Sequence, residues 1–270
     1  MASSVDRPLS NLRWSPEHGF EPSARRVPEE TAVAIVHDGS TTAVMMATPA
    51  DLEDFALGFS LSEGIIAARD EIREIEVAET DLGVELRIWL VAGVAADLAR
   101  RRRARAGPTG CGLCGVDSLA EAVRPPRRIE SSAPMVDPED LIAALEELAA
   151  RQTLGNATRA VHAAGLWRPP GPRGGLVAVR EDVGRHNALD KLIGATLADD
   201  LRSSSVLLLT SRVSVEMIQK AAVLGAPILC AVSAPTALAV RTAEAANLTL
   251  VGVARADGLE VFAGPERLRA

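Results

Sequence analysis

The sequence predicts an α/β protein in which a layered αβα domain follows a smaller α+β domain. From Asp137 to the end, short apolar runs alternate with amphipathic helical segments, which is typical of a sheet with helices on its faces. Between residues 27 and 106, two pairs of strand-like runs are each followed by one helical segment. With 270 residues, of which 47% are hydrophobic and 24% charged, the chain can bury its core without disulfide support.

The first 26 residues are expected to form a flexible tail. They carry charges and several prolines and lack the apolar core of a signal peptide. The longest apolar run, residues 221–235, is broken by Gly225 and Pro227 and is shorter than the roughly 18 residues that a membrane helix needs. Three cysteines, with Cys230 alone, do not make a secreted disulfide framework. These features predict a cytoplasmic protein without a membrane span.

The small domain, residues 27–106, begins with a predicted hairpin around the turn residues Asp38-Gly39-Ser40. A helix then opens at Asp51 and keeps its apolar residues at helical spacing up to Gly64. The predicted strands of this domain are Thr31–His37, Thr42–Thr48, Ile72–Val77 and Val84–Leu90, and its second helix is Val94–Ala106.

The larger domain, residues 137–270, opens with a helix at Asp137-Pro138-Glu139. A short segment from His162 to Trp167 and a turn rich in proline and glycine follow. The remaining predicted elements are the strands Leu176–Arg180, Val206–Leu209, Pro227–Val232, Leu248–Val253 and Leu259–Phe262, and the helices Val183–Leu197, Val213–Leu224 and Thr236–Ala246.

Residues 107–136, between the two domains, are predicted to be a reactive loop and linker. At its centre, three glycines surround Cys111 and Cys114 and allow the backbone to present either sulfur. Eight arginines stand against two acidic residues between positions 100 and 128, although the net charge of the chain is −7. This local excess favours thiolates and attracts an anionic ligand or an acidic partner, while a solvated helix end explains it equally well. Nucleic acid is disfavoured because no aromatic residue interleaves the run.

Polar side chains collect where each strand of the larger domain gives way to its helix. If the strands are parallel, Arg180, Arg212 and Arg255 lie at the edge of the sheet where ligands of open α/β sheets bind. Capping alone accounts for Asp182 and Ser211, but three arginines beside helix N-termini predict a site for phosphate oxygens. Besides Arg255, the candidate residues at this edge are Arg180, Asp182, His186, Ser211, Arg212 and Ser233.

Only two of the 29 basic residues are lysines, Lys191 and Lys220, and both lie in the larger domain. Glu216 precedes Lys220 by four residues, in the orientation that favours an ion pair on a helix surface. His186 and Asp190 also lie four residues apart on one helical face, either as part of a site or as a plain surface pair.

These motifs together resemble the formate dehydrogenase accessory sulfurtransferases, the FdhD family. The segments that carry the resemblance are Ser62–Ile66, Cys111–Gly115, Arg180–Lys191, Thr210–Ser214, Ala231–Thr236 and Val251–Gly258. The segment from Arg180 to Lys191 is specific, whereas the cysteine pair alone is a weak signal. The resemblance runs from about residue 30 to the end.

The resemblance implies that Cys111 carries a persulfide taken from a cysteine desulfurase and that Cys114 assists it. The sulfur would pass to the molybdenum bis-guanine-dinucleotide cofactor, molybdenum bis(molybdopterin guanine dinucleotide), before that cofactor enters formate dehydrogenase. It further implies a cytidine-deaminase-like αβα C-terminal domain and a homodimer. No metal site is predicted, because a structural zinc site needs four ligands and one cysteine pair supplies two, although a dimer could in principle complete it. The cofactor-binding segment would be Val253, Ala254, Arg255, Ala256, Asp257 and Gly258.

The sequence departs from the family at both ends of that segment. An aromatic residue is common where Val253 stands, and a second arginine or similar side chain is common near Gly258. Contacts made by those two side chains are therefore not carried over to this chain. Binding through backbone groups and through Arg255 is compatible with the residues present.

Three other classes of protein use features found here. A zinc deaminase needs His-x-Glu followed by Pro-Cys-x-x-Cys, but His162 is followed by two alanines and the cysteine pair comes earlier in the chain. A thioredoxin-like oxidoreductase places Cys-x-x-Cys at a helix N-terminus after a strand, whereas Cys111 follows an arginine run and Gly-Pro-Thr-Gly. A non-catalytic carrier of the guanine-dinucleotide cofactor would need neither cysteine, so mutating both distinguishes it.

Overall fold

The computed structural model describes residues 4–103, 125–130, 135–198, 200 and 202–269. Within these ranges, strands form three sheets, of two, four and six strands. The α/β class predicted from the alternation of strands and helices is confirmed, and the likeness to cytidine deaminases stays a prediction. The reactive loop with Cys111 and Cys114 lies outside the described residues.

The first sheet is a ribbon of two antiparallel strands, β1 (Asp6–Ser15) and β2 (Gly19–Pro28). The expectation of a flexible tail is therefore wrong for these residues. Both strands of a two-stranded ribbon are edge strands, and edge strands tolerate the prolines that argued against structure here. A charge-assisted hydrogen bond, Arg26 Nε to Asp6 Oδ2 at 2.7 Å, ties the two strands together where the ribbon joins the rest of the chain.

The second sheet belongs to the small domain and consists of β3 (Thr31–His37), β4 (Ser40–Ala47), β5 (Ile72–Thr80) and β6 (Gly83–Leu90). Its strand order is β4-β3-β6-β5, which confirms the predicted hairpin and the two later strands. Helix α1 (Leu52–Ser62) follows β4, and α2 (Ala92–Arg103) follows β6. Alternate residues of β6 are buried, so one face of this sheet contributes to the core.

The third sheet consists of β7 (His162–Arg168), β8 (Gly175–Asp182), β9 (Val206–Leu209), β10 (Ile228–Ala231), β11 (Thr249–Arg255) and β12 (Gly258–Ala263), in the order β12-β11-β10-β9-β7-β8. β9, β10 and β11 are mutually parallel. β7 is antiparallel to both β8 and β9, so β8 runs in the same direction as β9. The carboxyl ends of β8, β9, β10 and β11 therefore share one edge, as the sequence predicts. We call it the carboxyl edge.

Helices cover both faces of the third sheet. α3 (Pro138–Arg151) packs on one face, and the short α4 (Thr153–Thr158) follows it. α5 (Arg185–Ala195), α6 (Val215–Leu224) and α7 (Ala237–Ala245) pack on the other face. In β9, Val206 and Leu208 belong to the α3 side of the core, while Leu207 and Leu209 belong to the opposite side. This alternation between two buried faces produces the three layers.

The two predicted domains share one hydrophobic core across the contact between α1 and α5. The two helices approach so closely that a Cβ on Gly58 would lie 1.7 Å from the carbonyl oxygen of Asp190, and one on Gly194 would lie 2.0 Å from that of Asp54. Only glycine permits this distance. The cluster of buried side chains continues from Phe55 of α1 into α5 and the third sheet.

Candidate functional site

Asp182, at the end of β8, is fully buried and forms a polar link between the two domains. It accepts hydrogen bonds from the Thr48 backbone N–H at 3.0 Å, the Gly184 N–H at 2.8 Å and the Lys191 Nζ at 2.6 Å. The Asn187 amide also donates to it at 3.0 Å. Lys191 is likewise fully buried and donates to the carbonyl of Thr48 at 2.9 Å. With its hydrogen bonds to protein groups, Asp182 anchors the β4–α1 connection to α5.

Arg180 is engaged in the same interdomain contact. Its Nε and Nη2 donate to Asp54 Oδ2 of α1 at 2.8 and 2.7 Å, and its Nη1 donates to the Val179 carbonyl at 2.8 Å. Asp51 lies 3.6 Å away. These contacts hold the guanidinium against the small domain. The proposal that Arg180 and Asp182 bind a cofactor remains a prediction.

Lys220 is buried, and the predicted surface pair with Glu216 is wrong. Its Nζ lies 2.8 Å from Asp190 Oδ1 and 3.2 Å from Glu63 Oε1, and it donates to the Ser62 hydroxyl at 2.8 Å. Burial opposes the charged amine, but the carboxylates of Asp190 and Glu63 outweigh it and raise the pKa of Lys220. Lys220 thus links α6 to α1 and α5.

A group of polar atoms at the N-termini of α5 and α6 is buried without hydrogen-bond partners among the described residues. They are Arg185 Nε, His186 Nε2, Ser214 Oγ and Glu216 Oε2. Such atoms are rare in folded proteins, where nearly all buried polar groups are paired with protein or solvent. We call these four residues the polar cluster.

Burial and two neighbouring cations keep the imidazole of His186 neutral. Burial, followed by the positive charges of Arg185 and Lys220, lowers the pKa of His186 to about 4, although Glu216 and Glu63 act in the opposite direction. The pKa of nearby His162 is lowered too, by burial and by Arg185 and Arg212. A neutral His186 can donate or accept a hydrogen bond, beside one cation and one carboxylate. The cluster therefore suits a ligand that has both acceptors and N–H or O–H donors.

Other predicted residues at the carboxyl edge differ in accessibility. Arg212 and Arg255 are exposed, so their charges are available to a ligand. Ser211 is buried and donates to the Arg212 carbonyl at 3.1 Å. Ser233 is half-buried, and its carbonyl accepts a hydrogen bond from the Val253 N–H at 3.3 Å. The structure thus brings His186 and Arg212 to the same edge as Arg255.

The predicted cofactor-binding segment, residues 253–258, forms the bulged end of the β11–β12 hairpin. The strand register shifts between Gly252 and Arg255, and Val253 adopts a φ of 51° within this bulge. That conformation is unfavourable for a β-branched residue and is found mainly where surrounding contacts enforce it. Ala254 is buried, whereas Arg255, Ala256 and Asp257 are exposed and Gly258 closes the turn by pairing with Arg255.

The described residues on either side of the cysteine loop show where it is attached. α2 ends at Arg103, and the description resumes at Pro125. Pro125 and Pro126 line a cleft of ≈ 270 Å³ together with Val215 of α6. Cys114 stands eleven residues before Pro125, a length that spans at most about 40 Å. Pro125, the first described residue after the loop, therefore lies beside the N-terminus of α6, where Ser214 and Glu216 also stand.

Arg185, Ser214 and Glu216 were not among the residues predicted for a site. Ser211 lies two residues after the end of β9, whereas Ser214 is the N-cap of α6 and Glu216 lies in its first turn. The strand-end rule would have included them only if it were extended to the start of the following helix. Helical spacing alone predicted an ion pair between Glu216 and Lys220. It could not show that Lys220 pairs with Asp190 and Glu63 instead.

Comparison with known proteins agrees with this arrangement of motifs. A sequence model of the FdhD/NarQ family matches residues 28–269. The chain belongs to the FdhD/NarQ family. The match begins at the end of the ribbon and includes the cysteine loop, the segment from Arg180 to Lys191 and residues 253–258.

Similar proteins carry names of the same family. The chain is 51% identical over 245 residues to the sulfur carrier protein FdhD of Agrobacterium fabrum, covering 90% of this chain and 89% of that protein. It is 48% identical over 266 residues to the protein of the same name from Xanthomonas axonopodis pv. citri, covering 97% and 93%.

A solved structure is similar over nearly the whole fold. It is the crystal structure of a formate dehydrogenase accessory protein from Desulfotalea psychrophila, with a TM-score of 0.75 and 26% sequence identity. The similarity covers 98% of this chain and 100% of the other.

Two further observations bear on the kind of site. Among the described residues, no group of three or more His, Cys, Asp or Glu side chains is arranged to hold a metal ion. No helix in the described ranges is both long and apolar enough to cross a membrane.

Proposed function

We propose that this chain is a sulfur carrier for formate dehydrogenase. Cys111 accepts sulfur from a cysteine desulfurase as a persulfide, and the chain delivers that sulfur to the molybdenum bis-guanine-dinucleotide cofactor, bound as a substrate at the carboxyl edge. The names of the relatives support the carrier role. The observation that supports the proposal is the position of Pro125 and Pro126, which follow the cysteine loop in sequence and line a cleft with Val215, between Ser214 and Glu216 of the polar cluster.

Loading of Cys111 is a thiol–persulfide exchange. The Cys111 thiolate attacks the terminal sulfur of the desulfurase persulfide, and the S–S bond of the donor breaks. The desulfurase leaves as a thiolate, so one neutral sulfur atom moves and no external oxidant or reductant is needed. Arginines near a cysteine lower its pKa and populate the attacking thiolate, which is the role we assign to those on both sides of the loop.

Delivery uses Cys114. Its thiolate attacks the inner sulfur of the Cys111 persulfide, which forms a Cys111–Cys114 disulfide and releases the terminal sulfur as sulfide to the substrate. A dithiol reductant then restores both thiols. The spacing of two residues between the cysteines and the glycines around them allow this small ring to close.

The carboxyl edge supplies the binding chemistry for the nucleotide half of the substrate. Exposed Arg212 and Arg255 offer charge-assisted hydrogen bonds to phosphate oxygens. The N-termini of α5 and α6 add partial positive charge at the same edge. The heterocycle of a guanine nucleotide has both N–H donors and a carbonyl acceptor, which matches the mixed character of the polar cluster.

Loading is tested by intact-mass analysis after incubation with a cysteine desulfurase and cysteine. We expect a gain of one sulfur atom in wild type and in Cys230→Ala, and no gain in Cys111→Ala. Cys114→Ala should still be loaded but should fail to activate formate dehydrogenase. Full activation by a Cys111→Ala, Cys114→Ala double variant would overturn the carrier mechanism and favour a cofactor chaperone without sulfur chemistry.

Nucleotide binding is tested by calorimetry with GDP as the probe. Loss of one charge-assisted contact costs about 1.5–3 kcal/mol, so Arg255→Ala should weaken binding roughly ten- to a hundredfold. The matched control is Arg173→Ala, because Arg173 is exposed in the turn before β8, at the opposite edge of the same sheet. Equal GDP affinity in all three proteins would place the nucleotide elsewhere.

A further inference from the structure

Glu216 contributes to the polar cluster a carboxylate that no group in the described ranges pairs with. It stands in the first turn of α6, and its Oε2 is buried without a hydrogen-bond partner. The lysine one turn later is engaged elsewhere, because the Nζ of Lys220 donates to Ser62, Glu63 and Asp190. A buried carboxylate oxygen in this state is unfavourable in the free protein, and a ligand that donates a hydrogen bond to it removes that cost.

The helix dipole does not account for the burial of Glu216. An acidic side chain stabilises a helix N-terminus while it stays solvated, and Glu139, at the equivalent second position of α3, is exposed. The N-cap residue of α6 is also unusual. Serine at this position commonly accepts a hydrogen bond from the first turn, but the Ser214 side chain makes no such bond and its hydroxyl is buried without a partner.

A cation approaches the same region from the neighbouring helix. Arg185, the first residue of α5, has a buried Nε without a partner. Arg185 lowers the pKa of His186 and Glu216 raises it, so both charges lie near that imidazole. Within the described part of the chain, however, the buried Nε of Arg185 and Oε2 of Glu216 are not joined to each other. Two opposite charges that share a neighbour without pairing leave room between them for a ligand.

We propose that Glu216 recognises the guanine base, with its carboxylate accepting hydrogen bonds from N1–H and from the 2-amino group. This assignment rests on the proposed function, which supplies a guanine nucleotide as the ligand of the carboxyl edge. A carboxylate only accepts hydrogen bonds, and guanine presents these two donors side by side. The carbonyl at C6 is adjacent to N1–H and is an acceptor, which suits the unpaired Nε–H of Arg185.

The same arrangement discriminates against other bases. Adenine has a lone pair at N1, which a carboxylate repels, and hypoxanthine lacks the 2-amino group. Xanthine has a carbonyl oxygen at C2, so it places an acceptor against Glu216. A two-point contact to a base discriminates by roughly ten- to a hundredfold. Glu216 is therefore a specificity-determining residue, whereas exposed Arg212 and Arg255 suit the phosphates that all nucleotides share.

Calorimetry of the full chain with GDP, IDP, ADP and xanthosine diphosphate tests the proposal. We expect wild type to bind GDP roughly tenfold more tightly than IDP and roughly a hundredfold more tightly than the other two. In Glu216→Gln the amide can accept from N1–H and donate to the carbonyl at C2 of xanthine. The ratio of xanthosine diphosphate affinity to GDP affinity should therefore rise about a hundredfold or more. A gain of xanthosine diphosphate binding cannot result from misfolding.

The matched control is Glu139→Gln, which removes a carboxylate from the same helix position on the opposite face of the third sheet and should leave every affinity unchanged. If GDP binds but the affinity ratio is the same in wild type and Glu216→Gln, the role of Glu216 is overturned and the proposed function stands. The expected base preference in a protein that gains no sulfur on Cys111 would confirm the role of Glu216 and overturn only the carrier function. Absence of GDP binding to wild type would overturn the assignment of Glu216 together with the nucleotide site.

Discussion

His186 shows how strongly the fold controls single residues at the carboxyl edge. An ordinary histidine titrates near 6.5, but burial and two neighbouring cations lower the pKa of this one to about 4. It is therefore neutral at pH 7. Its Nε2 can then donate or accept, according to the tautomer that a ligand selects.

The first prediction follows from this lowered pKa. Between pH 6.5 and 4 the unfolded chain binds a proton at His186 that the folded chain does not, so stability falls as the pH falls through this window. Each pKa unit is worth about 1.4 kcal/mol, so acidification from pH 7 to 5 should cost wild type about 2 kcal/mol more than His186→Gln. Urea unfolding at the two pH values measures the difference. Identical pH dependence in both proteins would show that the imidazole is solvated.

Cys230 is the reference against which the reactivity of the other cysteines can be judged. It lies on β10 beneath α3, and burial raises the pKa of its thiol to about 12. At pH 8 only about one thiol in ten thousand is then ionised, and the thiolate is the reactive form. We predict that peptide mapping after iodoacetamide treatment will find Cys230 modified only in unfolded protein. Modification at the same rate with and without urea would contradict its burial.

The individual residues also show what the sequence could predict. The order of strands and helices placed Arg180, Asp182, Arg212 and Arg255 near strand ends, and the shared edge is confirmed. Partners could not be predicted in the same way, because Asp54 and Thr48 lie more than 120 residues from Arg180 and Asp182 in sequence. The side chains of Arg180 and Asp182 consequently face the small domain.

At the scale of elements, the contact between α1 and α5 positions much of the candidate site. Close approach at Gly58 and Gly194 brings Ser62 within 2.7 Å of Asp190 and Asp54 within reach of Arg180. Helical periodicity predicted both helices from their own segments. It did not predict that the two helix backbones would touch. A glycine within a helix indicates low helix propensity, and the sequence alone does not show that two helices cross there.

The N-terminal ribbon carries a strand signal that its composition hides. Alternating apolar residues at Leu12 and Trp14 and at Phe20 and Pro22 are a strand signal, but prolines and charges led to the expectation of a tail. Proline excludes a central strand and not an edge strand. In this segment, the alternation of apolar and polar residues predicts the structure better than the content of prolines and charges.

Substitution of the crossing glycines tests the helix contact. In Gly58→Ala the added methyl group would meet the Asp190 carbonyl, a rigid backbone atom, so α1 and α5 must separate. Overpacking of this kind typically costs about 1–3 kcal/mol. Gly93→Ala in α2, where a Cβ meets open space, is the control and should be neutral or slightly stabilising. Thermal unfolding of the three proteins gives the comparison, and an unchanged midpoint for Gly58→Ala would contradict the packing described.

At the scale of the whole molecule, the two segments predicted as domains are held together by buried charge as well as by a common core. Asp182 and Lys191 form one fully buried pair, and Asp190 and Lys220 form a second. Both pairs reach residues of the small domain, Thr48 in the first case and Ser62 with Glu63 in the second. Sequence patterns placed both lysines on helices of the larger domain, but they could not show that both side chains are buried where the two segments meet.

The last prediction is that this junction couples unfolding of the whole chain. Lys191→Met leaves the carboxylate of Asp182 buried without its cation, and breaking a buried pair in this way typically costs about 3–5 kcal/mol. Asp182→Asn, Lys191→Met should cost less, because a neutral amide leaves no unpaired buried charge. Its single oxygen can keep the hydrogen bonds that Oδ1 accepts from Gly184 and Asn187, although the one that Oδ2 accepts from the Thr48 N–H is lost.

The same urea titrations test the coupling itself. Trp89 in β6 reports on the small domain and Trp167 in β7 on the larger one, so single-tryptophan variants can follow each separately. A shared core requires both probes to change at one urea concentration, and Lys191→Met should lower that concentration equally for both. Two separate transitions, with only the Trp167 signal shifted by Lys191→Met, would mean that the segments fold independently and that the buried pair stabilises only the larger one.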